Sequence, residues 1–520
     1  MPPPLIPRRL SYEVPERLDH TGAVLKPLDV DALDAVLDGM AGQNIESVAV
    51  CLLYSYVNPA HERMIRDRLL ARGLLEERQI ALSSDVLPEF REYERASTVA
   101  LDAYVRPVMS RYLQHLAEQL PPMCALRVMK SDGGVISAAR ARQQAIQTAL
   151  SGPAAGVIGA YHLAQQAGFQ QVITLDMGGT STDVALCPGG LLRRPGSQIG
   201  GLPLRIRLLD IETIGAGGGS IARLDAGGAL RVGPESAGAE PGPIVYGRGG
   251  QQVTVSDANA ALGRLDAGHF LGGRMALHLE PAADALAVLA RQATLDSETL
   301  ALGIIDVANV NIDRAVRKVS IARGYDPRGF TLVAFGGAGP MHACEVAERL
   351  LMPRVLVPRH PGVLCAFGLL MADIMLDYSR SVLELVDPET PARLDAQLAE
   401  MIAQARAELA REGIAAERMI FSRLLDMRYE GQAYELTVPL AGAGPWTADA
   451  LVAAFHEAHQ NSYGHAMSGR TVEVVNTRVQ ATGVAEKPAL RPEPIIDNDG
   501  SEAVVGQKEG VFRGGRGMMT

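Results

Sequence analysis

The chain has 520 residues, 47% hydrophobic and 21% charged, which is the composition of a globular protein with core material for roughly three or four average domains. Its 49 Lys and Arg against 59 Asp and Glu give a net charge of −10, and with 4% aromatic residues and one tryptophan this argues against a nucleic-acid module. No stretch approaches the ~18 apolar residues of a membrane span, MPPPLIPRRLSYEV holds no signal-peptide core, and five scattered cysteines without a CxxC pair suit a reducing cytoplasm.

From Asp29 the pattern alternates. DVDALDAVLDGMAG has helical spacing, ESVAVCLLYSYV reads as a buried strand, and PAHERMIRDRLLARG as a helix opened by proline in its first turn. IALSS is a short strand, Tyr93 to Leu120 a long amphipathic helix, and ALRVMKSDGG a strand running into a turn. This alternation predicts a largely parallel sheet covered by helices. SGPAAGVIGAYHLAQQAG, from Ser151, reads as a helix whose small residues Gly152, Ala154, Ala155 and Gly156 allow close packing on another backbone. Its first turn also offers free N–H groups to an anion, and both readings stand.

Val172 to Leu186, VITLDMGGTSTDVAL, predicts a β-hairpin. Gly178 and Gly179 can take positive φ and let the backbone come close to a ligand. Thr180, Ser181 and Thr182 add donors suited to phosphate oxygens, and Asp176 and Asp183 can hold a divalent cation through water. A plain Gly-Gly turn requires no such bracket of carboxylates, so a phosphate and magnesium loop is expected.

GAGGGS at Gly215 to Ser220 invites a dinucleotide reading, but the GxGxxG frame fails at Ser220, and IARLDAGGALRV after it has the turn of a hairpin where that fold needs a helix. Gly215, Gly217 and Gly218 are instead assigned to close backbone approach, to a nucleotide or to a neighbouring loop. Val232 to Asn259 is a Gly- and Pro-rich polar loop carrying Glu235, Glu240, Tyr246, Arg248 and Asp257, with a substrate-side role open to it. Helices follow around Ala282 to Arg291 and Leu300 to Arg323. FTLVAFGGAGPMHACEVAERLL then reads as a strand, a turn at Gly336, Gly337 and Gly339, and a helix from about Pro340. His342 and His360 are expected to be structural. HEAH at His456 to His459 lacks the i, i+4 spacing of HExxH, so a packed helix end is favoured, with His465 keeping a metal site open. From Val382, a charged helix and alternating strands predict a separate α+β domain, and beyond Pro488 a polar, glycine-rich tail is expected to be poorly ordered. No Gly-Lys pair and no GxSxG elbow occur, which argues against a P-loop and a serine hydrolase.

DMGGTSTD resembles the phosphate hairpin of the actin, sugar-kinase and Hsp70 ATPase superfamily, in the wording of the hydantoinase A, oxoprolinase and acetone carboxylase β-subunit family. LSGPAAGVIGA, TIGAGGGSIA, VGPESAGAEPGP, VAFGGAGPMHA and DMRYEGQAYELTVP agree with that family in order along the chain. The resemblance implies an α/β, actin/Hsp70/sugar-kinase-like two-lobed ATPase core with an appended C-terminal α+β domain. Residues 1–150 would form an incomplete first lobe, 151–378 the second lobe with hairpin and adenosine motif, 379–487 the α+β domain and 488–520 the tail. The family's first phosphate hairpin has no counterpart, since SDGGV at Ser131 to Val135 lacks the threonine and second aspartate, and the C-terminal end looks short against the family.

The resemblance further implies an ATP-dependent amidohydrolase or carboxylase subunit using Mg²⁺ or Mn²⁺. Asp176 and Asp183 would orient metal and attacking group. Gly178, Gly179, Thr180, Ser181 and Thr182 would contact phosphates, with Gly215, Gly217 and Gly218 nearby and Gly336, Gly337 and Gly339 beneath the nucleoside. The substrate would be a cyclic amide, imide or ketone, and the partner a hydantoinase B-like subunit in a hetero-oligomer. Two alternatives are a non-catalytic nucleotide-binding or assembly subunit and an actin-like small-molecule kinase.

Overall fold

The computed structural model describes residues 4–121, 124–442, 444–488, 501, 504 and 506–519. The polypeptide forms two compact units. One comprises Met1–Ser151, Arg194–Leu208 and Ala372–Glu486; the other comprises Gly152–Arg193, Leu209–Met371 and Lys487–Thr520.

The second unit holds the expected hairpin. After helix α1 (Ser151–Gln166), strands β1 (Gln171–Met177) and β2 (Thr182–Pro188) pair antiparallel, with Asp176 opposite Asp183. β3 (Ile211–Ile214) adds antiparallel to β2. Helix α2 (Ser297–Val319) precedes β4 (Thr331–Phe335), which lies parallel to β1, and helix α3 (Gly339–Arg349) leads to β5 (Arg354–Leu356), parallel to β4. The sheet order is β3-β2-β1-β4-β5. β1 and β4 are central and parallel, which explains why VITL and TLVAF read as unbroken apolar runs: both faces are covered. α2 begins at the Asp296 cap, whose carboxylate accepts from the Thr299 N–H at 2.8 Å, and buries Leu300, Ile304, Ala308, Ile312 and Val316 at helical spacing.

For α1, the packing reading holds. A Cβ on Gly156 would lie 2.7 Å from the Phe335 ring, and one on Gly159 2.7 Å from the Leu364 carbonyl at the start of helix α4 (Leu364–Met371). A Cβ on Gly368 would collide with the Ala155 carbonyl. The small residues let two helix backbones touch.

In the first unit, the short strands Val48–Val50 and Ile80–Leu82 pair parallel around helix Ala60–Ala71, over a core containing Leu33, Leu37, Leu69 and Leu82. The expected long strand stops at Val50 because a turn follows, with Tyr54 at φ 57°. A six-stranded sheet runs in the order Leu436–Pro439, Met419–Tyr429, Val472–Gly483, Ile374–Leu385, Val135–Ser137, Arg127–Met129. The strands expected to form a separate C-terminal domain thus share a sheet with residues 127–137, and the expected boundary after residue 378 falls inside the Ile374–Leu385 strand. The SDGG turn belongs to the Arg127–Met129/Val135–Ser137 hairpin and is buried, with the Lys130 ammonium 2.9 Å from Asp132 and 2.5 Å from Asp377.

The tail departs from expectation as well. Lys508–Phe512 and Gly515–Met519 form an antiparallel hairpin. The Val511 N–H donates to the Leu262 carbonyl at 2.9 Å, and Arg264 donates back to the Val511 carbonyl at 3.0 Å while covering the Phe512 ring. Backbone hydrogen bonds and one arginine order a segment whose composition offers little core; residues 489–500 lie outside the described residues. Among the described residues no helix is long and apolar enough to cross a membrane.

Candidate functional site

Three loops leave the sheet of the second unit at the C-terminal ends of β1 and β4, the edge where parallel α/β sheets bind ligands. The first is the β1–β2 turn, closed by the Gly178 N–H donating to the Ser181 carbonyl at 3.0 Å. The second is the GAGGGS loop. It packs backbone to backbone on the first: Gly218 and Gly219 N–H groups donate to the Gly178 and Gly179 carbonyls at 2.9 and 2.6 Å. A Cβ on Gly217 would stand 2.6 Å from the Gly179 carbonyl oxygen, and one on Gly215 2.8 Å from Pro234. Of the two readings of this glycine run, close approach to a neighbouring loop is what the geometry displays. The third is the Gly336–Gly339 turn, where the Ala338 N–H donates to the Met177 carbonyl at 2.9 Å.

The glycines divide by what they do for the chain. Gly336 has φ +82°, and a Cβ there would lie 2.5 Å from Asp176 Oδ1, so both conformation and space demand glycine. Gly339 is tight against the Leu175 carbonyl, at 3.3 Å. Gly178 and Gly179 do not take the expected positive φ, because a four-residue turn spans the strands without it. A Cβ on Gly179 or Gly337 would meet nothing within 4 Å, and one on Gly178 only the Ser181 carbonyl at 3.9 Å. Neither backbone conformation nor packing within the chain requires glycine at these three positions; they leave an open surface that a ligand can approach.

Two carboxylates stand beside this surface. Asp176 and Asp183 are directly opposed across the hairpin, an arrangement that costs stability when both are charged. Burial, reinforced by the charge of Asp183, pushes Asp176 up to about 6, and burial also raises Asp183. Among the described residues neither has a Lys, Arg or His partner. Each instead receives one neutral donor. The Cys365 Sγ lies 3.6 Å from Asp176 Oδ2, and the Thr213 hydroxyl donates to Asp183 Oδ1 at 2.5 Å. Neither Cys365 nor Thr213 is among the residues anticipated for the site. Thr213 lies within the TIGAGGGSIA stretch, but no local signal marks Cys365, which arrives from 189 residues away.

Thr180 is exposed on the turn and Ser181 partly so. Thr182, expected among phosphate contacts, is fully buried and donates its hydroxyl to the Ala216 carbonyl, so its side chain ties the GAGGGS loop to the hairpin. Asp257 is also structural: its carboxylate accepts from the N–H groups of Val245 and Thr254 and from the Thr254 hydroxyl, at 2.7 to 2.8 Å. His342 is buried, with Nδ1 2.7 Å from Asn309 Oδ1, and desolvation pushes it down to about 4. In the first unit, HEAH is a packed helix end. His456 pairs with the Tyr429 hydroxyl at 2.7 Å, His459 with the His465 carbonyl at 2.6 Å, and among the described residues no group of three or more His, Cys, Asp or Glu could hold a metal.

A metal at Asp176 and Asp183 would therefore take two protein carboxylates and draw its other ligands from water and phosphate, the way Mg²⁺ is commonly held. The open glycine surface and the uncompensated carboxylates fit a magnesium nucleotide.

The hydantoinase/oxoprolinase family pattern matches residues 95–378, its N-terminal region residues 1–73 and its C-terminal domain residues 387–516. The chain is 35% identical to caprolactamase subunit alpha of Pseudomonas jessenii over 94% of its own length and 71% of that protein's. The crystal structure of the ATP-dependent caprolactamase from that organism superposes with a TM-score of 0.82 at 33% identity, over 99% of this chain and 76% of that one. The nucleotide-free structure of acetone carboxylase, from work on ATP-dependent acetone carboxylation, does so with a TM-score of 0.80 at 29% identity and the same coverage. The fold is thus of the α/β ATPase class expected, and the chain belongs to the hydantoinase/oxoprolinase family.

Proposed function

We propose that this chain is the ATP-using subunit of an amidohydrolase or carboxylase that activates a cyclic amide or imide, or a ketone enolate. The observation that carries the reading is the opposed pair Asp176 and Asp183, without a Lys, Arg or His partner among the described residues, beside the open glycine surface of Gly178, Gly179 and Gly337. ATP, when bound, would transfer its γ-phosphoryl group to the amide, imide or enolate oxygen, with ADP leaving, to give a phosphate ester that is reactive toward hydrolysis or carboxylation.

The protein's share of such a transfer is positioning and charge neutralisation. Asp176 and Asp183 would hold Mg²⁺ or Mn²⁺, whose remaining ligands would come from water and phosphate. The backbone of Gly178, Gly179, Thr180 and Ser181 faces the phosphates, while Thr182 locks that turn from beneath. Gly215, Gly217 and Gly218 brace the turn, and Gly336, Gly337 and Gly339 would lie beneath the nucleoside. The substrate is a small molecule, and a hydantoinase B-like subunit completes the enzyme as a hetero-oligomer; the caprolactamase relative is itself named as a subunit.

Calorimetric titration of Mg-ATP into the chain tests the reading, with Gly179→Val as control. Because a Cβ at Gly179 meets nothing in the protein, the variant should melt like the parent yet bind Mg-ATP at least tenfold more weakly. Equal binding by both proteins, or none by the parent, would remove the assignment. Substrate class follows from ADP release with a lactam, 5-oxoproline or acetone in the presence of the partner subunit.

A further inference from the structure

Asp176 and Asp183 carry a symmetry that the sequence does not announce. Each has one oxygen engaged by a single neutral donor from another part of the chain. Asp176 Oδ2 faces the thiol of Cys365 at 3.6 Å, and Asp183 Oδ1 accepts from the Thr213 hydroxyl at 2.5 Å. The opposite oxygen of Asp176, Oδ1, rests on the Cα side of Gly336, where a methyl group would come within 2.5 Å. The carboxylate of Asp176 is therefore boxed between a thiol and a glycine.

The choice of donors has a physical consequence. A lysine or arginine in either place would neutralise the pair and compete with a divalent cation for the same oxygens. A thiol or hydroxyl fixes the carboxylate plane while leaving its negative charge for the ligand. Cys365 stands in the first turn of α4 with its sulfur against Gly156 of α1, where a Cβ would come within 3.1 Å of it. Thr213 is held by the β2–β3 register, directly opposite Asp183.

We infer that Cys365 and Thr213 are the positioning residues of the metal-binding carboxylates, each orienting one aspartate toward the divalent cation of a bound nucleotide without cancelling its charge. This rests on the proposed Mg-ATP site and adds to it the two residues that set the carboxylate geometry.

The test compares nucleotide affinity with Mg²⁺ and with EDTA, by calorimetry, for the parent chain and for Cys365→Ala, Cys365→Ser, Thr213→Val and Thr213→Ser. Outer-sphere partners of this kind typically contribute about 10- to 100-fold in metal affinity. The Ala and Val variants should lose about tenfold or more of the gain that Mg²⁺ confers, while metal-free ATP binds as before. Both serine variants, which keep a donor, should recover most of it. If Cys365→Ala and Thr213→Val keep the full Mg²⁺ gain, the positioning role is overturned and the nucleotide site stands. If the serine variants fail as badly as Ala and Val, packing rather than donation is responsible and the inference falls. If the parent shows no Mg²⁺-dependent binding, the proposed function falls and takes the inference with it. Thermal melts of all four variants separate unfolding from loss of affinity.

Discussion

Asp176 pays in stability for what it offers a ligand. Burial, reinforced by Asp183, pushes its carboxyl up to about 6, against 3.8 as the ordinary value. A raised carboxyl favours the fold below pH ~4 and loses that advantage as pH climbs toward 6; above it, the ionised pair is strained. Asp176→Asn should therefore stabilise the metal-free chain at pH 7.5 by on the order of 2 kcal/mol, with the difference shrinking as pH falls to ~4. Urea unfolding at several pH values reads this directly, and a destabilised Asn variant at pH 7.5 would contradict it. Asp183→Asn removes the other half of the repulsion and should leave the fold as stable as the parent or more so by urea unfolding, while ATPase assayed with the partner subunit and substrate should fall by ~2.7–4 kcal/mol if it behaves like loss of one preorganised electrostatic group.

At the scale of elements, glycine decides how closely backbones meet. Gly368 in α4 lies against the Ala155 carbonyl of α1, and a methyl there has no room. Gly368→Ala should cost about 1–3 kcal/mol or more by forcing the helices apart, read as a lower urea midpoint. Gly217→Ala acts differently. Its methyl would press on the Gly179 carbonyl and Thr180 N–H, displacing the turn that faces the phosphates, so Mg-ATP affinity should fall more than stability does. The contrast with Gly179 is informative: adjacent loops carry glycine for opposite reasons, one for the protein's own packing and one for open approach.

For the molecule as a whole, the first unit is stitched by buried charges from distant segments. Glu89 accepts from Arg478 at 2.8 Å and from Arg205 at 3.0 Å, while Arg478 reaches Asp426 at 2.6 Å. Burial alone would raise Glu89, but the two guanidiniums overcome it and hold the carboxyl down to about 2. A depressed carboxyl stabilises the fold above its ordinary value of 4.5, and that contribution disappears as pH falls from there toward 2. Glu89→Gln leaves two arginines short of their buried partner and should cost about 3–5 kcal/mol at neutral pH, with the penalty fading in acid. Calorimetric melts at pH 7 and pH 3 would show it.

Much of the candidate site was legible because it is contiguous. DMGGTSTD carries both carboxylates and the turn in eight residues, and a hairpin keeps such neighbours together whatever surrounds it. Apolar periodicity likewise marked α2, which buries one face at helical spacing, while α1 and the strand-turn-helix at Phe330 to Leu351 were marked by their small residues, glycines and apolar runs in local order. The tertiary structure alone decided the rest. Thr213 and Cys365 reach the carboxylates only when β3 and α4 pack, and Thr182 turns inward only because Ala216 offers it a carbonyl. The C-terminal strands join Val135–Ser137 because a sheet edge pairs with whichever strand the fold brings beside it. Such pairings join residues 30 to 189 positions apart at the site, and Ile374 to Val135 in the sheet, and no local pattern encodes them.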